Sequence, residues 1–277
     1  MFSNPLYKDV VHVYLTGGEP FLSCRLVDIC QILKTRLNPT ISLNTNGLLP
    51  NKIEEYSREI LEMHLDILSF DLSINGPEPI HDYTRGVSGA FSKLMESRQV
   101  LENLGIPYGW NFTIFKPTIS SILWYRNFRK DKNEPKHYAF GLPKKFLGSP
   151  SEDQFAYTEQ DLSEIYSNCG NLSLRLYLDY IKYCKYFLPC YMGSHQIRVF
   201  PNGESYVCEY DPHFYLGYAP CLTPKEWEGN VRQSKYHCKH SCSLEYCIYA
   251  YNQIMSKPMN RLLLRKSVYP YIRRVFR

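Results

Sequence analysis

The chain has 277 residues, 44% hydrophobic and 21% charged, the make-up of a globular protein long enough to bury one large core or two smaller ones. Its net charge of +5 gathers at the C-terminal end, where Arg261, Arg265, Lys266, Arg273, Arg274 and Arg277 stand with no acid among them, so the total names no partner. No apolar run is long enough for a membrane span and no basic-then-apolar secretory signal opens the sequence, so a cytoplasmic location is expected, where the ten cysteines serve as metal ligands or buried thiols rather than disulfides.

Val11–Leu15 is a short apolar run ending at a glycine pair and reads as a buried parallel strand. Leu26, Ile29, Ile32, Leu33 and Leu37 recur at helical spacing. Thr40–Leu43 reads as a second strand, closed by Asn44-Thr45-Asn46-Gly47. Ile53–Met63 then reads as a helix and Leu65–Ile74 as a third strand. Phe91–Leu104 reads as a helix ended by Gly105 and Pro107–Phe115 as a fourth strand. Strands alternating with helices across short connections predict a parallel sheet with covering helices. From Phe128 to Gln160 the pattern gives way to Lys, Pro, Gly, Ser and Asp, with one apolar piece, His137–Gly141, that suits a further strand. Thr158-Glu159-Gln160-Asp161 offers a start to a helix over Leu162–Tyr166. Beyond about Leu176 the composition shifts to cysteines, aromatics and turns, as in a second, small domain.

Chemistry concentrates in a few segments. Leu15-Thr16-Gly17-Gly18-Glu19-Pro20 puts a glycine pair at a strand end, where backbone groups can meet a ligand closely and a glutamate can accept from an ammonium. Sites of parallel α/β folds lie at that end of the strands. A tight turn without a ligand is the plainer reading of those residues alone. Thr45-Asn46-Gly47 follows the next strand. Ser69-Phe70-Asp71-Leu72-Ser73-Ile74-Asn75-Gly76, His81-Asp82-Tyr83-Thr84-Arg85-Gly86, Gly89 and Phe91 follow in turn, and Gly105-Ile106-Pro107 closes the helix after them.

Over Val11 to Phe115 this order and spacing resembles radical S-adenosylmethionine (radical SAM) proteins of the subgroup with SPASM or twitch auxiliary-cluster domains. The resemblance implies that Gly17, Gly18, Glu19 and Pro20 cradle the amino group of SAM. It places Asn46, Ser73 and Arg85 at its polar contacts, with Arg85 able to pair with the carboxylate. The other reading of Arg85 is a structural pair with Asp82 or a helix end. Asn75 departs from the family, which commonly has Asp there.

The later cysteines form a second constellation. Cys184-x5-Cys190 is followed by Cys208 at the end of a hairpin-like piece from Arg198, then by Cys238-x3-Cys242-x4-Cys247. Thiolates at turns in separate segments suit an iron–sulfur cluster or a four-thiolate zinc site. The resemblance implies one auxiliary 4Fe–4S cluster on Cys184, Cys190 and Cys208, with a fourth ligand from Cys238, Cys242 or Cys247. His195, His213, His237 and His240 lie near enough in sequence to replace a thiolate, and read first as surface or packing residues. Cys24 and Cys30 read as packing residues on one helix, and Cys169 and Cys221 as structural.

The Cys-x3-Cys-x2-Cys triad with which the family holds its SAM-cleaving cluster has no counterpart before Gly17. The expected fold is therefore α/β: a partial (β/α) barrel of the radical SAM type without its first βα unit, plus a small cysteine-rich C-terminal domain. Residues 1–150 form the partial barrel, 151–180 a linker and helix, and 181–277 a SPASM/twitch-like domain with a basic tail. The expected function is part of a peptide- or protein-modifying or activating radical SAM enzyme that does not cleave SAM alone, a catalytic 4Fe–4S cluster having no ligands in this chain. A partner chain would complete the barrel at the edge left by Val11–Leu15. A peptide or protein substrate is expected and nucleic acid is not. The alternative is a non-catalytic iron–sulfur or zinc protein using the barrel as a binding platform.

Overall fold

The computed structural model describes residues 3–64, 68–128, 130, 138–141, 157–168, 197–207 and 214–237. These fall in two compact units, one built from residues up to Asn168 and one from residues beyond it.

The first unit holds a five-stranded parallel sheet: β1 His12–Leu15, β2 Thr40–Thr45, β3 Leu68–Ile74, β4 Tyr108–Thr113 and β5 Tyr138–Gly141, in the order β1-β2-β3-β4-β5. Helices α1 Leu26–Arg36, α2 Pro50–Glu62, α3 Glu78–Arg85, α4 Ala90–Asn103, α5 Ile122–Phe128 and α6 Glu159–Asn168 lie between and after the strands. Strand order follows chain order without reversal. With right-handed crossovers this carries successive helices to the same face. The two faces differ accordingly. Ile41, Leu43, Phe70, Leu72, Ile74, Trp110 and Phe112 are buried and form the core, with Phe21 stacked on Phe70 at 5.7 Å and Phe112 on Tyr125 at 4.6 Å.

The other face is polar. Register sets Tyr14 beside Ser42, Ser42 beside Ser69, Asn44 beside Asp71 and Ser73 beside Asn111. Hydrogen bonds stitch it together: Tyr14 Oη donates to Asp71 Oδ2 (2.8 Å), His12 Nε2 meets Ser42 Oγ (3.0 Å), and Ser42 Oγ meets Ser69 Oγ (2.8 Å). This corrects the expectation for Val11–Leu15. Among the described residues the strand lies at the edge of the sheet, as expected, but it is not buried: Val11 is 77% and Tyr14 37% exposed, and the run is half-buried.

Other elements carry similar lessons. On α1 the buried line is Leu26, Cys30 and Leu33, while Ile32 is exposed. Burial pushes the Cys30 thiol up to about 12, so it sits in the core as a neutral hydrophobe. Cys24 is exposed in the turn before α1, not packed on the helix. Helix α4 ends as its sequence foretells, with Gly105 left-handed at φ +66°. Helix α3 was not foreseen, because its residues read as a motif rather than an element.

In the second unit β6 Arg198–Val199, β7 Glu204–Tyr206 and β8 Tyr215–Tyr218 form an antiparallel sheet, the first two as the expected hairpin. Its turn needs Gly203, at φ +88°, where a side chain would strike the Tyr218 ring. Val207, Phe214, Leu216, Leu222 and Val231 are buried. Helix α7, Pro224–His237, was read as turns, although Thr223 and Glu226 exchange the two bonds of a capping box at its start. Asn230 Nδ2 ties α7 to Leu216 O at 2.7 Å.

Candidate functional site

An open cleft of about 680 Å3 lies at the carboxyl ends of β1 to β4. Gly17, Gly18, Asn46, Ser73 and Arg85, five of the seven residues singled out in the sequence, line it. Glu19 and Pro20 are not among its described lining residues, and each has a place in the structure of the loop. Glu19 accepts from Thr45 Oγ1 (2.7 Å), from the Asn46 N–H (2.7 Å) and from the Phe21 N–H (3.3 Å). Its carboxylate thereby clamps the loop after β1 to the end of β2. Pro20 opens the short 3-10 helix Pro20–Leu22.

The glycine pair faces open space. Gly17 has φ +141°, and a side chain carbon added at Gly17 or Gly18 would meet no atom within 4 Å. The absence of side chains there makes room for a ligand rather than for the protein's own packing. Asn46 Oδ1 accepts from the Leu48 N–H (2.9 Å), which turns its amide group into place beside the pair.

The His81–Gly86 segment is helix α3 and its cap, and each polar member has a separate partner. His81 is fully buried, and its Nδ1 accepts from the Asn75 N–H (3.2 Å), so the ring proton sits on Nε2, which has no partner. Burial first, then the Arg85 charge, push His81 down to about 4 against the opposing pull of Asp82. Asp82 reaches across the loop to accept from the N–H groups of Gly89 (2.6 Å) and Phe91 (2.8 Å), capping α4. Those bonds hold its carboxyl below the usual range. Thr84 Oγ1 accepts from Asn75 Nδ2 (3.0 Å) and donates to His81 O (3.0 Å). Gly86 ends the helix left-handed.

Arg85 does not pair with Asp82. Its Nη2 donates to Ser73 O (3.1 Å) and approaches Asn75 Oδ1 (3.5 Å), while its buried Nε has no partner. Burial pulls its pKa down and the Glu19 charge pushes it up. Ser73 Oγ donates to Asn44 Oδ1 at 3.2 Å.

Sequence reasoning missed Asn44, Tyr83, Thr84, Asn111, Thr113, Phe115 and Pro117 as lining residues. A signal was present. Asn44, Asn111 and Thr113 are polar residues in the carboxyl-terminal halves of β2 and β4, with buried Leu43 and Phe112 beside them in sequence, an alternation that puts polar groups on one sheet face at the strand ends. The six candidate thiolate ligands, Cys184, Cys190, Cys208, Cys238, Cys242 and Cys247, lie outside the described residues, as do His195, His213 and His240. Among the described residues no three of His, Cys, Asp and Glu come together to hold a metal ion, and no helix is long and apolar enough to cross a membrane.

Residues 6–120 match the model of the Radical SAM superfamily. A curated protein of Sulfolobus acidocaldarius, named "Probable GTP 3',8-cyclase", is 25% identical over 221 residues, spanning 72% of this chain and 66% of that protein. The solved structure of native anSMEcpe with bound AdoMet is similar in fold, with a TM-score of 0.59 at 19% identity, over 83% of this chain and 70% of that one. The same protein with AdoMet and the Kp18Cys peptide gives a TM-score of 0.56 at 18% identity, over 81% and 68%. The solved structures share the fold. The chain spans just under two thirds of the length of the curated relative.

Proposed function

We propose, for a chain whose residues 6–120 are a Radical SAM superfamily domain, that the cleft at the strand ends holds SAM by its amino-acid end. The observation that carries this reading is the convergence of an uncrowded glycine pair, the amide of Asn46, the hydroxyl of Ser73 and the partly unmatched guanidinium of Arg85. These residues suit the group. Backbone at Gly17 and Gly18 can approach an ammonium and its neighbouring carbons, and Arg85 can receive a carboxylate. Held by Gly17, Gly18, Asn46, Ser73 and Arg85, SAM would supply radical chemistry once an electron reached it from a reductant outside these residues.

This chain's own residues would do the rest. Glu19 holds the two strand ends at a fixed spacing, and Arg85 orients the ligand against the end of β3. The polar sheet face from Tyr14 to Asn111 offers hydrogen-bond partners to a substrate. No cysteine stands before Cys24 in this sequence. In this reading the five parallel strands are part of a radical SAM-type barrel, and cleavage takes cysteines contributed from outside residues 1–23. A partner chain is one such source. The C-terminal cysteines would hold one auxiliary 4Fe–4S cluster of the SPASM/twitch kind, and the similarity in fold to a protein solved with AdoMet and a peptide supports a part in peptide or protein modification.

Anaerobic calorimetry of the full chain with SAM tests the cleft. Binding is expected, and Gly18→Val should weaken it by about tenfold or more, because Gly18 lines the cleft and a Cβ added there meets no protein atom within 4 Å. No binding, or equal binding by the variant, would refute the reading. Iron, sulfide and zinc measured together on the chain and on a Cys190→Ala, Cys208→Ala variant test the second site. Iron and sulfide lost in the variant are expected; zinc alone would favour the non-catalytic platform.

A further inference from the structure

Four asparagines stand among the described residues lining the cleft, and three are engaged by the protein itself. Asn44 Oδ1 accepts from Ser73 Oγ, Asn46 Oδ1 accepts from the Leu48 N–H, and Asn75 Nδ2 donates to Thr84 Oγ1. Asn111 differs. Among the described residues its side-chain amide has no hydrogen-bond partner. Thr113, two residues on, lines the same wall. Its carbonyl accepts from Thr118 Oγ1 (3.0 Å), while its own hydroxyl has no partner among the described residues.

Both side chains stand on a rigid support. They are half-buried and alternate on β4 with Trp110 and Phe112, which are fully buried. Phe112 stacks on Tyr125 at 4.6 Å and Trp110 meets Phe128 edge-on at 5.4 Å, so β4 is fixed from behind by α5. Neither Asn111 nor Thr113 builds the cleft; both are positioned and unmatched.

The wall they form is uncharged. Arg85, the charged residue of the described lining, donates to Ser73 O at the end of β3, and β4 and its sequel contribute an amide, a hydroxyl, Phe115 and Pro117. A polyphosphate finds no counter-charge on such a wall, whereas a neutral group with a donor and an acceptor finds both. Asn111 pairs in register with Ser73 and lies one strand, about 4.8 Å, beyond it. It is therefore outside the set read above as holding SAM.

We infer that Asn111 and Thr113 are specificity-determining residues for the second reactant, and that they read an uncharged amide, the repeating group of a peptide. Residues two apart on a parallel strand are spaced by about 6.6 Å, close to the interval at which an extended peptide repeats its same-side groups. The Asn111 amide can donate to a peptide carbonyl and accept from its N–H, the Thr113 hydroxyl can do either for the next group, and Phe115 and Pro117 offer an apolar shelf to a side chain. The inference rests on the SAM reading, which fills the β1 to β3 side of the cleft, and assigns the side chains that meet the peptide.

The test equilibrates a pool of random-sequence capped pentapeptides with the full chain saturated with S-adenosylhomocysteine and counts retained peptides by mass spectrometry. Wild type should retain a defined subset. Asn111→Leu, close in size, should retain it about tenfold less, and Thr113→Val about threefold less, the scale of one or two neutral hydrogen bonds. S-adenosylhomocysteine affinity, read by calorimetry, should be unchanged in both. If thermal melts show that Asn111→Leu does not fold, Thr113→Val carries the test. Equal retention by wild type and variants, or no retention by wild type that binds S-adenosylhomocysteine, overturns this inference alone. Weakened S-adenosylhomocysteine binding in the variants would mean that the wall reads the nucleoside of SAM, and also overturns it. So would GTP that outcompetes the peptides and is itself lost in Asn111→Leu. Failure of the wild type to bind S-adenosylhomocysteine removes the SAM reading beneath it.

Discussion

His81 shows how much of a motif can be internal architecture. Its Nδ1 is the acceptor for the Asn75 N–H, so the ring must stay neutral for the turn after β3 to close. The folded value, about 4, lies below the ordinary histidine value, so the fold binds the proton less readily than the unfolded chain does. Stability from this group is full above about pH 6.5 and is lost as the pH falls from there through about 4. Urea unfolding of wild type and His81→Gln across that window should show a steeper loss on acidification for the wild type; equal slopes would refute the assignment. Gly47 is a second residue-scale test. It sits at φ +72°, with Leu94 Cδ1 only 2.5 Å from where a side chain carbon would go. Gly47→Ala should cost about 1–3 kcal/mol in urea unfolding, from strain and overpacking together.

Helix α4 depends on a cap from outside itself. Its own N-cap is Gly89, which has no side chain to offer, and Asp82 on α3 serves instead by accepting from the Gly89 and Phe91 N–H groups. Asp82→Ala should therefore destabilise the fold by about 0.5–2 kcal/mol, the range of a lost N-cap, measured by urea unfolding, with Asp82→Asn retaining part of the stability. The distance along the chain explains why the motif misleads. Read as sequence, Asp82 and Arg85 share a helix face three residues apart and suggest an ion pair. The Gly86–Gly89 turn instead brings α4's open N–H groups to Asp82 and leaves Arg85 to the end of β3. Helix α7 repeats the point in milder form. Its Thr223–Glu226 capping box and Pro224 are start signals present in the sequence, set within a stretch otherwise rich in aromatics, cysteines and turns.

At the scale of the whole molecule the sheet of the first unit has unequal strands. β3 pairs with β2 over Leu68–Leu72 and with β4 over Phe70–Ile74, whereas β1, among the described residues, pairs with β2 alone and exposes Val11 and Tyr14. Amide hydrogens of β3 and β4 should exchange more slowly than those of β1, because opening an edge strand exposes less buried surface. Equal protection of β1 that rises with protein concentration would reveal a second chain on that edge.

The sequence by itself determined the alternation of strands and helices from Val11 to Phe115, the hairpin from Arg198, the glycine ends of helices, and the resemblance that picked out Gly17, Gly18, Asn46, Ser73 and Arg85. These are local properties: periodicity, turn residues and spacing survive in one dimension. Only the tertiary structure decided which face of each strand meets the helices. A strand of mixed residues such as His12-Val13-Tyr14-Leu15 has no side until its register with β2 is set. It also decided that Glu19 is a clamp, that Asp82 is a cap, that Cys30 packs while Cys24 does not, and that the Arg85 guanidinium lies against a neutral amide. Each of those depends on which polar groups are brought within about 3 Å by separate elements, and no spacing along the chain encodes that distance.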